Sequence, residues 1–135
     1  MRTLTAAVLG VAMTLGAATF ASADCQKSIR LVASPAGKVI AADARARVRA
    51  QTRTPTFVKQ DFVVEMSAAV ANGTTFMVFA NAQPVGTITI VVGVGRLVVN
   101  NDPGNVLPAG ANPVCSIGSV IITDGAGNTI LSGSF

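Results

Sequence analysis

Arginine recurs at every second position from Arg45 to Arg49, with Arg53 beyond it, and this stripe is the most distinctive chemical feature of the sequence. Alternate residues of an extended strand share a face. Arg45, Arg47 and Arg49 would therefore form a flat cationic ladder, suited to an anionic polysaccharide, lipid headgroups or nucleic acid. A solvent-facing strand can carry the same stripe for a blander reason: long basic side chains pair with acids on the neighbouring strand and discourage edge-to-edge aggregation. Nucleic-acid binders usually add aromatic stacking platforms, and this chain has no Trp and no Tyr, so no nucleic acid partner is expected. The same lack disfavours ring stacking on sugars and the aromatic girdles of an outer-membrane barrel.

Other chemistry is hard to assemble. The chain has no histidine, which removes the commonest general base and metal ligand. A Ser-His-Asp arrangement cannot be built. Asp61 and Glu65 share a strand face, yet four residues apart they lie about 13 Å from each other, too far for a glycosidase carboxylate pair. Gly93-x-Gly95 lacks the third glycine and the following helix of a nucleotide fingerprint. Asn100, Asn101, Asp102 and Asn105, or Asp124 with Asn128, offer one carboxylate per cluster, thin for calcium and ordinary for turns. No catalytic residue, metal ligand or cofactor is expected, and the chain is not expected to be an enzyme.

Two cysteines remain, Cys25 and Cys115, and the start of the chain says what they do. Met1-Arg2 is followed by an uncharged, apolar run to Phe20, then by Ala21-Ser22-Ala23, and charge returns at Asp24. That order is a cleavable secretory signal over residues 1–23; a retained anchor wants about 20 apolar residues. The mature chain, 24–135, is long enough for one domain with a real core. Loss of Arg2 lowers the net charge from +4 to +3, too modest to demand an anionic partner. Export, secreted or periplasmic, places the cysteines where thiols oxidise, and a Cys25–Cys115 disulfide is expected. No transmembrane segment is expected in the mature chain.

The elements that must carry these residues are strands. Ala42 to Ala50 is the one stretch with helix-forming composition, yet Ala44, Ala46, Val48 and Ala50 alternate strictly with the arginines. The predicted strands are Lys27–Ala33, ended by Ser34-Pro35-Ala36-Gly37; Val39–Gln51; Phe57–Ala69; Thr75–Ala80, apolar enough to be covered on both faces; Val85–Val92 after a break at Gln83-Pro84; Arg96–Asn100; Cys115–Thr123; and Thr129–Phe135. If the turn at Pro55 joins the two long strands, paired positions sum to about 110. Arg45 then faces Glu65 and Arg49 faces Asp61, each pair worth about 0.2–1 kcal/mol. Ala46–Val64 and Val48–Phe62 would lie on the buried side.

Val85-Gly86-Thr87, Gly93-x-Gly95-x-Leu97, Leu107-Pro108-x-Gly110, Asp124-x-x-Gly127 and Ser132-Gly133-x-Phe135 together give the second half of the chain a familiar look. It resembles small exported bacterial β-sandwich domains of unknown function, immunoglobulin-like or superoxide-dismutase-like in general shape. The resemblance implies a fold and no activity, and the histidines of a true superoxide dismutase are absent. The expected protein is thus an all-β, antiparallel, immunoglobulin-like sandwich of about 7–8 strands behind a signal-peptide helix. Its expected role is a non-catalytic structural, adhesive or binding domain of the cell envelope or extracellular space, with a protein or an anionic polysaccharide as partner. The alternatives are a subunit that docks or polymerises by strand addition, with Val120–Thr123 and Thr129–Phe135 as its edges, and a cationic-face binder using Arg45, Arg47, Arg49 and Arg53.

Overall fold

A computed structural model describes residues 24–135, so the signal at 1–23 lies outside the described residues. The described chain is mostly strand: β1 (Cys25–Arg30), β2 (Val32–Ala33), β3 (Asp43–Thr54), β4 (Phe57–Ser67), β5 (Thr75–Ala80), β6 (Gln83–Thr89), β7 (Val94–Asn100), β8 (Ser119–Thr123) and β9 (Thr129–Ser134). They form two antiparallel sheets, one ordered β1-β3-β4-β7 and the other β2-β9-β8-β5-β6. One continuous core joins them, built from Ala46, Val48, Phe62 and Val64 of the first sheet and Phe76, Val78, Ile88, Val120 and Ile122 of the second. No helix among the described residues is long and apolar enough to cross a membrane.

The long hairpin β3–β4 has the register its alternation predicts. Arg45 lies across from Glu65, Arg49 from Asp61, Ala46 from Val64 and Val48 from Phe62. Ala44, Ala46, Val48 and Ala50 are buried while the intervening arginines are exposed. A one-residue slip would exchange those two sets.

The first predicted strand is two. β1 pairs with β3 in the first sheet; the chain turns at buried Leu31, and β2 pairs with β9 in the second. The stretch read as a turn and the start of a long strand is instead a short helix, α1 (Pro35–Val39). Ser34 caps it by accepting the Gly37 N–H at 3.0 Å, and its hydroxyl donates to the Thr129 carbonyl. A serine cap with proline at the first helical position is a start signal. β3 consequently begins at Asp43, after Ala41 turns with a positive φ of 51°.

Three further expectations are corrected. Met77 is exposed, so β5 is covered on one face only. The hairpin turn before β6 is Asn81-Ala82, both with positive φ, and Pro84 lies inside β6; β6 is an edge strand, where a missing N–H costs no ladder bond. Val120–Thr123 is no edge, because β8 lies between β9 and β5; β9 itself is flanked by β8 and β2. Chain crossings close both corners: β1 runs into β2 on one side, and the β6–β7 hairpin passes between sheets on the other. Strands that switch sheets are how such corners are made.

The β8–β9 turn rests on one carboxylate. Asn128 donates its side-chain and backbone N–H to Asp124, and Ala126 adds a third bond. These hold the Asp124 pKa below its ordinary value, with the Asn128 amide as the largest cause. A depressed folded pKa contributes stability above the unfolded value of about 3.9 and loses it as pH falls through the folded value. Asp124→Asn is therefore expected to flatten the acid limb of a urea-midpoint curve taken from pH 5 downward. An unchanged limb would show that this carboxylate does not couple to folding.

Candidate anion-binding face

The outer face of the first sheet is built by parity. Odd residues of β3 and β4 and even residues of β1 and β7 point away from the core. Across the four strands the ladder registers place Arg30, Arg45, Glu65 and Arg96 in one row, Ser28, Arg47, Val63 and Val98 in the next, and Gln26, Arg49, Asp61 and Asn100 in a third. Successive rungs of the ladder are two residues apart, about 6.7 Å along the strand. Val63 faces outward yet is only 4% exposed. Its neighbours on that face are Arg47 and Val98 across the ladder and Asp61 and Glu65 along it, and arginine stems cover apolar surface readily.

The expected ion pairs are replaced by others. Glu65 approaches Arg96 at 4.0 Å rather than Arg45, and Asp61 approaches Lys59 at 3.4 Å rather than Arg49. Lys59 also pairs with Asp102, the main cause of a raised Lys59 pKa. Arg30 grips Asp43 through two N–H groups at 3.0 and 3.2 Å, which raises its pKa. Arg49 donates to the Gln51 amide oxygen at 3.0 Å. Among the described residues, Arg45, Arg47 and Arg49 have no carboxylate within ion-pair distance. The physical reason is competition: each acid has a basic neighbour on its other side, Arg96 directly across from Glu65 and Lys59 two residues from Asp61 along β4.

Arg53 does not continue the ladder. The β3–β4 register shifts between Thr52 and Thr54, so Arg53 occupies the irregularity at the hairpin end, where strict alternation stops. Arg30 and Arg96 flank the ladder on neighbouring strands. Sequence reasoning did not place them there because it paired only β3 with β4.

The oxygen-rich loop after β7 is occupied with structure. Asn101 stands in for a missing strand: its side chain donates to the Val58 carbonyl at 2.7 Å and accepts the Gln60 N–H at 2.8 Å. Asn100 accepts from the Asp102 N–H and from the Asn105 amide. Cys25 and Cys115 are joined, with Cα atoms 6.0 Å apart, tying the start of β1 to the short 3-10 turn ahead of β8.

These features define a class: two antiparallel sheets on one core, stapled by a disulfide, with an unneutralised basic row on one sheet face. No protein-family model, no curated protein and no solved structure matches this chain.

Proposed function

We propose that this is an exported, non-catalytic binding domain, an immunoglobulin-like sandwich of the periplasm, cell surface or extracellular space. It holds an acidic polysaccharide along Arg45, Arg47 and Arg49. The observation that carries the reading is that the acids placed directly across from Arg45 and Arg49 are engaged by other cations, leaving three guanidinium groups in line with no counter-charge among the described residues. Arginine suits the role because its fork of donors matches carboxylate and sulfate oxygens and is weakly hydrated. A disulfide, which an oxidising compartment permits, and the secretory pattern of residues 1–23 support export.

Retention on heparin and on polygalacturonate columns tests this. The protein is expected to stay bound at about 0.15 M ionic strength. The combined variant Arg45→Ser, Arg47→Ser, Arg49→Ser is expected to wash through, with a thermal midpoint close to wild type, because exposed substitutions usually change stability by less than about 0.5 kcal/mol. Lys27→Ser with Lys38→Ser serves as a control that should keep retention. If the arginine variant is retained like wild type, or the lysine control is lost equally, the ladder is not the site.

A further inference from the structure

Three of the loops gathered at one end of the molecule carry almost no charge. The C-terminus of α1, the β4–β5 loop and the β6–β7 turn meet there and are tied together. Ala69 N–H donates to the Ile40 carbonyl at 2.7 Å, Ala68 N–H to Gly93 at 3.0 Å, Gly73 N–H to Ile90 at 2.8 Å and Val92 N–H to the Asn72 side chain at 2.7 Å. From Met66 to Gly95 the chain has no charged residue at all. Val39, Val91, Val92 and Val94 project from this end, all more than half exposed.

Val92 is the telling residue. It takes a left-handed φ of 51° in the two-residue turn Val92-Gly93, closed by the Val91–Val94 bridge. Such turns favour Asn before Gly, and a β-branched residue there is a genuine outlier. At 82% exposure it gains no burial in return. An outlier that neither backbone preference nor packing explains points to a surface contact.

Beside the valines lies an open depression of about 450 Å³, lined among others by Met66, Ser67, Val94, Arg45 and Arg96. Asp43 and Glu65 also line it, but Arg30 and Arg96 respectively engage them. Among the described residues Arg45 has no carboxylate within ion-pair distance, and Lys38 stands on the α1 side of the same end. The β8–β9 turn lies at this end too, since β9 starts beside Ser34 and Thr123 pairs with Met77 near the start of β5; its Asp124 is the acid of this end that faces no cation of the pocket, and it is held by the N–H groups of Ala126 and Asn128.

We propose that this end docks on the surface of an anionic lipid bilayer. The valines enter the boundary between headgroups and acyl chains, while Arg45 and Lys38 meet lipid phosphates. Apolar side chains and a basic flank together are what binding to an anionic membrane surface requires. A second copy fits less well, since tip-to-tip docking would bring two basic rims together. The docking uses a different surface from the polysaccharide ladder and shares only Arg45 with it.

Sedimentation with vesicles tests the proposal, using the disulfide-bonded protein recovered after export. It is expected to pellet with vesicles of equal parts phosphatidylglycerol and phosphatidylcholine, and not with phosphatidylcholine alone. Excess soluble glycerol phosphate should fail to release it. Val91→Ser with Val92→Asn is expected to weaken binding about tenfold while heparin retention stays intact. That variant keeps the turn, because Asn suits the left-handed position. The proposal is overturned by no pelleting with anionic vesicles, by equal pelleting with neutral ones, by release with the soluble phosphate, or by an unaffected valine variant. It is equally overturned if analytical ultracentrifugation shows a dimer that the valine variant abolishes while vesicle binding persists, which would make a second copy the occupant.

Discussion

Replacing Cys25 and Cys115 together by serine is expected to lower the unfolding free energy by about 4 kcal/mol. The bridge closes a loop spanning 90 positions of sequence. For a loop that long the chain-entropy estimate is about 4–5 kcal/mol, a figure that native strain and residual unfolded structure reduce in practice. A domain of this size has about 5–15 kcal/mol in total, so the loss removes a large share. Its location adds to the argument. β1 has one ladder neighbour, β3, and Cys25 opens it opposite Ala50. Without the bridge, the start of β1 is held by that ladder and by Asp24, which accepts from the Thr52 N–H and hydroxyl. Urea denaturation should show a lower midpoint for the double serine variant, and the reduced wild type should match it. Hydrogen exchange should show β1 amides opening first. A loss below about 1 kcal/mol would mean that the unfolded chain is already compact enough for the bridge to constrain little.

How far the sequence could be read depended on how strictly a segment alternates. In β3, and in β4 apart from the outward-facing Val63, every second residue changes character, so the face of each side chain followed from parity and the pairing from the turn at Pro55. Thr75–Ala80 shows the limit. Phe76, Val78 and Ala80 point inward, but Met77 is apolar and exposed, and composition does not tell an exposed apolar residue from a buried one. At Ser34-Pro35 the helix-start signals were present, yet a five-residue helix containing glycine has too little periodicity to compete with a turn. Gln83-Pro84 misled for a related reason: proline marks a break only where an N–H is needed, and whether a strand is an edge is a property of the sheet order.

The site was legible one strand at a time. Arg45, Arg47 and Arg49 were visible because they share a strand. Their lack of partners was not, since it depends on β7 bringing Arg96 to Glu65 and on Lys59 reaching Asp61 and Asp102. Those are choices among several cations for few acids, decided by reach across strands far apart in sequence. The apolar end was less visible still. Its three loops are separated by some fifty positions, and each alone reads as an unremarkable stretch of Ala, Val and Gly.

The corner where β6 meets β7 yields the other large effect. Gly95 points inward at the place where the two sheets approach. A Cβ there would stand 2.5 Å from Ile88 Cγ2, 2.7 Å from the Thr89 carbonyl oxygen and 3.2 Å from Ile90 Cδ1. Ile88 and Ile90 are both fully buried, so neither side chain has free space to retreat into, and the carbonyl belongs to backbone that must lead into the β6–β7 turn. Overpacking a filled core costs about 1–3 kcal/mol, occasionally more, and obstruction by backbone belongs at the upper end. Gly95→Ala is therefore expected to destabilise by about 3 kcal/mol in urea denaturation. Gly125→Ala gives the contrast: its Cβ would meet nothing within 4 Å and its φ is not positive, so the loss of unfolded-state freedom should stabilise by about 0.4–1 kcal/mol. The same chemical change should thus move the midpoint in opposite directions at the two sites. Equal effects would show that chain entropy governs both and that the β6–β7 corner has room the two isoleucines do not show.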